Sequence, residues 1–429
     1  MRPSPALLVL LALGLPAAAQ EVLTPGEWDQ FRFGTRHLGW NPHETVLSPS
    51  NVGGLVKRWS TPIGETTFTS AAVAGGRVYV GTLGGKLFAL DAATGAILWS
   101  RPPDALAGDT VWTSPVVADG VVYFAANRPT AVIYALDAAT GATLWSEGLT
   151  FSLMVSSPVV NEGVLYLAFN DHSIVALDAA TGATRWTADA GAGMYASPAV
   201  ADGRLYVTVH NRGLLALDAG SGAFLWLAPM AGPQWSSPAA GKALVYVGSR
   251  DDERLYAFHA ATGATAWSAP LGEWVHTSPA LANGMVYAGA NDGRLSAFDA
   301  NTGQPRWSRA LAPTGGLFGG PTVANGVVYA TSGQGDGKLY AVDALTGQPL
   351  FNAFVGDGDQ SGDGEWVNAS ATVSGGAVYV GTYEGDDSVV SAFTLPTRGP
   401  GGRGAGSVSG TAVPPAGTGD TRSGAAVPE

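Results

Sequence analysis

The 429-residue chain contains no cysteine. It therefore has no disulfide framework, no thiol for lipid attachment and no Cys-x-x-Cys-His for covalent haem. Charge is scarce too, at 13% of residues, and its balance is acidic, with a net charge of −12. That balance disfavours nucleic acid and anionic membrane as partners. Helical periodicity is almost missing, so no glycine-rich phosphate loop precedes a helix. The Gly-x-Gly pairs near Gly333 and Gly356 fall in hairpins and loops. Neither a His-Glu-x-x-His zinc motif nor a Gly-x-Ser-x-Gly elbow occurs. The apolar run Ala6 to Leu15 is too short to span a bilayer. With Arg2 before it and Pro16-Ala17-Ala18-Ala19 behind it, the run reads as a secretory signal peptide cut after Ala19. The expected protein is exported, periplasmic or secreted, with no membrane insertion and no lipid anchor.

What is present is glycine, proline and one repeated phrase. Sixty Gly and 27 Pro beside 46% apolar residues describe a turn-rich all-β chain, not a disordered one. The phrase LFALDAATGAILW, Leu87 to Trp99, returns from Ile133, Ile174, Leu214, Leu255, Leu295 and Leu339. Its closing aromatics are Trp99, Trp145, Trp186, Trp226, Trp267, Trp307 and Phe351, at spacings of 46, 41, 40, 41, 40 and 44. A period near 40 made of short β runs is the signature of propeller blades. Within a unit, the Leu-Phe-Ala-Leu run suits a half-buried strand. Asp91 accepts main-chain N–H groups across the next turn, and Gly95 supplies the positive φ that closes it. The terminal Trp, repeated once per unit, is expected to wedge between neighbouring blades.

Eight inner segments occur, beginning near residues 69, 113, 156, 196, 236, 277, 319 and 369. The last has Phe393-Thr-Leu-Pro396 in place of the Asp-Ala-Ala-Thr-Gly turn, and no Trp strand follows it. The missing strand stands at the other end of the chain, where Leu55 to Thr61 carries Trp59, 40 residues before Trp99. The predicted fold is an all-β, eight-bladed propeller of four-stranded blades, closed by residues 55–61 completing the last blade, which removes a free sheet edge. The expected organisation is a signal peptide (1–19), a lead-in without the repeat (20–54), the propeller (55–396) and a flexible Gly/Pro/Ser/Thr-rich tail (397–429).

The phrase Ala-x-Asp-Ala-x-Thr-Gly-x-x-x-Trp resembles the tryptophan-docking motif of the quinoprotein-type, or PQQ-like, β-propellers. The lead-in pieces Trp28-x-Gln-Phe31, Gly39-Trp-Asn-Pro-His-Glu-Thr45 and Asn51-Val-Gly-x-Leu55 resemble the N-terminus of exported bacterial PQQ-like repeat proteins. The resemblance covers residues 28 to 395 and implies two branches of function. One is a non-catalytic BamB-like scaffold of envelope assembly. The other is a PQQ- and calcium-dependent alcohol dehydrogenase, whose enzymes carry a vicinal cysteine pair that this chain lacks.

Candidate sites follow from placement. The tight turns at Ala118-Asp-Gly120, Asn161-Glu-Gly163, Ala201-Asp-Gly203 and Ala282-Asn-Gly284 share a face with the Asp-Ala-Ala-Thr-Gly turns, and that face reads as structural. Variable loops occupy the opposite face, where binding usually lies. Three of them are acidic: residues 251–253, 357–365 and 384–387. A monomer binding a protein or small molecule at this acidic face is the expectation. Three residues before each Ser-Pro proline, or its equivalent, stand Phe68, Trp112, Val155, Tyr195, Trp235, His276, Phe318 and Asn368. They form a ring at the channel mouth that either stacks on a flat ligand such as a quinone or plugs the channel. His276 is a lone base candidate with no carboxylate identifiable by spacing. Asp357, Asp359, Ser361, Asp363 and Glu365 match an EF-hand-like calcium pattern, but its twelfth position is Asn368 where a bidentate Glu is expected.

Overall fold

The structure is a computed structural model. It describes residues 27–101, 109–128, 130–151, 154, 156–312, 315–333, 336–356, 367–382 and 388–396. Eight four-stranded antiparallel blades form the propeller ring. Blade 4 is typical, with Ala199–Ala201, Arg204–Val209, Gly213–Asp218 and Phe224–Pro229 in order from the axis outward. Blade 8 holds Thr372–Ser374, Ala377–Gly381 and Val389–Thr394, and Val56–Pro62 is its outer strand, paired antiparallel to Val389–Thr394. The N-terminal strand therefore closes the ring. Among the described residues no helix is long and apolar enough to cross a membrane.

Neighbouring blades are joined by one repeated contact. Each outer-strand indole lies on the turn glycine of the next blade, and six of the seven donate their N–H to a carbonyl of that turn. Trp145 Nε1 donates to Ala179 O at 3.0 Å, Trp186 to Ala219 O at 3.0 Å, Trp267 to Ala300 O at 2.9 Å and Trp307 to Ala344 O at 3.0 Å. Trp59 and Trp226 do the same, to Ala92 O and Ala260 O. The same carbonyls accept a second bond from a buried tyrosine of the donating blade, as Tyr166 OH gives to Ala219 O at 3.2 Å. The turn glycine meets two demands at once. Gly303 has φ +71°, and a Cβ there would lie 2.6 Å from the Trp267 indole. Trp99 covers Gly141 in the same way, but its Nε1 has no acceptor among the described residues. Phe351 ends the series for a local reason. Blade 8 has no Gly turn to seat an indole, and the ring packs edge-on against Phe393 at 6.2 Å.

The lead-in is the element that sequence reasoning left without a role. Residues 27–41 run around the axis and give each blade's innermost strand a partner. Main-chain carbonyls of Trp28, Asp29, Thr35, Arg36, Leu38 and Gly39 accept the N–H groups of Val73, Val117, Val200, Ala240, Leu281 and Val323, at 2.7–2.9 Å. Blade 3 is served by the Gln30 carboxamide, which exchanges two 3.1 Å bonds with Val160. Blade 8 is served by Asn41 Nδ2, which donates to Val373 O at 2.8 Å. Trp40–Asn41 adds a short parallel strand to blade 7. Along this strap, residues 37, 39 and 41 are buried while 36, 38 and 40 remain half-exposed.

His37 is fully buried, stacked edge-on with Phe31 at 5.3 Å. Burial, and secondarily the Arg32 charge, hold its imidazole down to about 3. A base depressed in the folded state contributes stability above its unfolded value near 6.5, and that stability is lost as pH falls toward 3. His37→Gln is therefore expected to flatten the acid branch of the stability curve, removing a slope of about 1.4 kcal/mol per pH unit below 6.5. Urea unfolding from pH 7 to 4 measures it. The indole seat has its own control pair. Gly284 has φ +75° with nothing within 4 Å of a Cβ. Gly284→Ala should cost about 1–2 kcal/mol of backbone strain. Gly303→Ala should cost roughly 1–3 kcal/mol more, from the collision with Trp267, read from urea midpoints.

Candidate functional site

Around the axis, strands enter the blades through a Ser-Pro or equivalent step whose serine hydroxyls form a second ring beneath the aromatic one. The backbone N–H of Ser70 donates to Ser114 Oγ at 2.9 Å, and Ser114, Ser157, Ser197 and Ser237 each donate onward to the next blade's serine at 2.8–2.9 Å. Ser370 returns the chain to Ser70 at 3.0 Å. These bonds pass from blade to blade, satisfying inner N–H groups that have no strand partner. Sequence reading used the serines only to locate the ring above them; their recurrence at one position per unit was the available signal.

Blade 7 breaks the series with Gly320, where Arg32 of the strap and the backbone of blade 6 come close together. A Cβ at residue 320 would stand 2.2 Å from Arg32 Nη1 and 2.7 Å from the Ser278 carbonyl oxygen. The Arg32 guanidinium is fully buried and donates from Nη2 to Pro279 O at 2.7 Å. Its Nε and Nη1 meet no acceptor among the described residues. Burial draws the group down to about 9, so it stays charged at neutral pH. Gly39 leaves room on the other side, where a Cβ would lie 2.4 Å from Nη2.

The strap also reaches the channel. Phe31 and the serine ring line an axial cavity of about 170 Å³. The sequence-predicted mouth ring lines this cavity: Phe68, Trp112, Tyr195, Trp235, His276, Phe318 and Asn368 are all present, while Val155 lies outside the described residues. Phe68 stacks on Trp112 at 4.9 Å. A second arc runs from Tyr195 to Trp235 at 4.7 Å, then to His276 at 6.1 Å and on to Phe318 at 6.1 Å. The rings thus pack on one another along the rim, and Trp235 keeps 42% of its surface exposed. Asn368 Oδ1 is buried without a partner among the described residues.

Sequence reasoning missed the flank of the second arc. Trp274 is 48% exposed at φ +28°, a strained backbone for a bulky residue, and the Arg250 guanidinium lies 4.5 Å from its ring centroid. His210 packs on Tyr195 at 5.0 Å. Burial, then Arg250, pushes both His210 and His276 below the ordinary imidazole value. No carboxylate hydrogen-bonds His276 among the described residues, so nothing orients it as a general base. In the 251–253 loop, Asp252 is taken up by Ser249, Tyr256 and the Ala231 N–H, and Asp251 stands 3.8 Å from Arg250. The other two acidic loops, with Asp357, Asp359, Ser361, Asp363 and Glu365, lie outside the described residues.

For PQQ and calcium, the described residues are a poor fit. The cavity is smaller than the roughly 300–1,000 Å³ of pockets that enclose such ligands. Among the described residues no three His, Asp or Glu side chains converge to hold a metal.

The family model described as outer membrane protein assembly factor BamB matches residues 53–146, 129–236 and 214–410. Among solved structures, BamB from Moraxella catarrhalis is similar at a TM-score of 0.65 and 20% identity, over 81% of this chain and 99% of that one. Quinohemoprotein alcohol dehydrogenase from Comamonas testosteroni is similar at 0.71 and 17%, over 90% and 83%. A europium-containing methanol dehydrogenase is similar at 0.69 and 15%, over 87% and 98%. At these identities the likenesses show the fold alone. No curated protein matches the sequence.

Gly320→Ser is expected to destabilise by about 1–3 kcal/mol through its clash with Arg32. In an Arg32→Ala background the same change should cost less, because the contact with the Ser278 carbonyl oxygen at 2.7 Å is then the one that remains. Urea unfolding of the four proteins gives the coupling, and equal costs in both backgrounds would mean that Arg32 is not the reason for the glycine.

Proposed function

The chain belongs to the family described as outer membrane protein assembly factor BamB, and from that premise we propose that it is a non-catalytic, exported β-propeller acting as a binding scaffold in cell-envelope assembly. Its binding end is the aromatic mouth, which takes a protein segment or small molecule from the loop face, and the propeller works as a monomer. The observation that carries this reading is the small axial cavity. Phe31 of the strap lines it, and its 170 Å³ is below the size of pockets that enclose a tricyclic cofactor. The absence of cysteine from the sequence, and with it of the vicinal pair against a quinone, points the same way. Export rests on the Met1–Ala19 segment, and residues 397–429 are assigned to a Gly/Pro/Ser/Thr-rich tail. The enzyme reading draws on the likeness to quinoprotein dehydrogenases and on the stacked rings of the rim.

The two readings separate in one titration. PQQ with calcium added to the protein in a calorimeter should give no saturable heat, and a dye-linked assay on simple alcohols should show no turnover. Micromolar binding with turnover would establish the quinoprotein enzyme instead, with the Tyr195–Trp235–His276 arc as its cofactor wall.

A further inference from the structure

On the face opposite the funnel mouth, the half-exposed strap residues Leu38 and Trp40 meet Leu244, Tyr246 and Leu281 in a wedge between blades 5 and 6. This pocket measures about 540 Å³, and Arg36 and Lys242 stand among its lining residues. The comparable wedge between blades 3 and 4, of about 590 Å³, shares Arg36 and adds Arg185, but it also carries Glu162, Asp202 and Asp218, whereas no carboxylate is among the residues lining the first. The two pockets therefore differ in chemistry although the repeat that builds them is the same.

The difference originates in blade 5. In the hairpin joining a blade's first two strands, blades 2, 3 and 4 place Asp119, Glu162 and Asp202, and blades 6 and 7 place Asn283 and Asn325, all at positive φ. Blade 5 places Lys242, which is exposed and has no ion-pair partner among the described residues. In the following turn, Asp91, Asp137, Asp178, Asp218, Asp299 and Asp343 occupy one position, and blade 5 has His259 there. The aspartates accept two bonds from the turn's Thr or Ser; Asp299 Oδ1, for example, takes the Thr302 N–H and hydroxyl at 3.0 Å each. At blade 5 the Thr262 N–H reaches only the His259 carbonyl, at 3.2 Å. The aspartate side-chain bonds that stabilise the other turns are absent here, and the turn keeps its main-chain bonds at His259 and the Ala264 N–H bond to the Thr262 hydroxyl at 3.3 Å. His259 is paired directly opposite Leu244 of the pocket. Of the carboxylates nearby, Asp202 is engaged by Arg36 at 2.5 Å and Asp299 by Arg306 at 2.6 Å. An apolar pocket with Lys242 and no carboxylate in its lining, Arg36 held by Asp202 and His259 on the strand opposite Leu244 thus stands on a chain of net charge −12.

We propose that this wedge docks an acidic-apolar segment of a partner protein, with one apolar side chain in the pocket and its flanking carboxylates beside Lys242 and His259. Charge complementarity selects this occupant, since a neutral apolar segment would not require a lysine where other blades carry acidic, amide or glycine residues, nor the loss of the turn aspartate. The site is independent of the funnel on the other face, so the failure of either assignment leaves the other standing.

The test uses the full chain and a fluorescein-labelled short peptide alternating Leu with Glu, followed by anisotropy. A peptide with Lys in place of Glu and vesicles containing phosphatidylglycerol serve as further probes. Saturable binding of the acidic peptide is expected, weakened about tenfold or more by Lys242→Glu and by His259→Asp, and unaffected by Trp235→Ala. His259→Asp should also regain the turn bonds and melt about 1–2 °C higher, so that its lost affinity is not misfolding. Unchanged binding in both variants, or equal binding of the Lys peptide, overturns the proposal. Vesicle binding with the same sensitivity to the variants would replace the peptide by an anionic lipid surface and overturn it as well.

Discussion

Every blade of this ring ends at the axis in a strand whose inner edge has no neighbouring strand to pair with. Unpaired buried main-chain groups each cost about 1–3 kcal/mol, and eight blades repeat the problem eight times. The serine ring answers it at the mouth, and the strap of residues 27–41 answers it at the opposite end. The strap's path has a functional result that hydrogen bonding alone would not demand. Crossing beneath the axis, it sets Phe31 beside the serine ring in the lining of the axial cavity.

The indole-on-glycine joint explains how eight blades are held in one circle. One carbonyl per joint receives two donors, an indole N–H and a tyrosine hydroxyl, while the glycine beneath admits the ring face. Both the donors and the seat recur at fixed offsets within a unit of about 40 residues. That is why the blade number, the strand order and the closing N-terminal strand are legible in the sequence. The rim residues are legible for the same reason, because Phe68, Trp112, Tyr195, Trp235, His276, Phe318 and Asn368 stand at one offset from a repeated proline.

The strap is different in kind. Most of its bonds use main-chain carbonyls, which any residue supplies, and they reach strands far along the chain. Arg32 contacts Pro279, and Gln30 contacts Val160. No local pattern encodes such pairings. Only their imprint on the repeat was available, in the glycine at 320 where other blades have serine. Trp274 was missed because it lies outside the repeat and is marked only by its backbone strain and exposure.

Departures from a repeat therefore sort by whether something inside the molecule accounts for them. Gly320 makes room for Arg32, and Phe351 faces a blade without a glycine turn. Both changes agree with their surroundings. Blade 5 does not follow this rule. Lys242 and His259 replace acidic or amide residues in two adjacent turns, the second turn gives up side-chain hydrogen bonds that its counterparts keep, and neither residue gains an internal partner among the described residues. Local rules broken without internal compensation mark the places where a protein meets something outside itself. In this ring that criterion separates blade 5 from blade 7, and it directs attention to the hairpin face, which a reading based on loop variability alone assigns to structure.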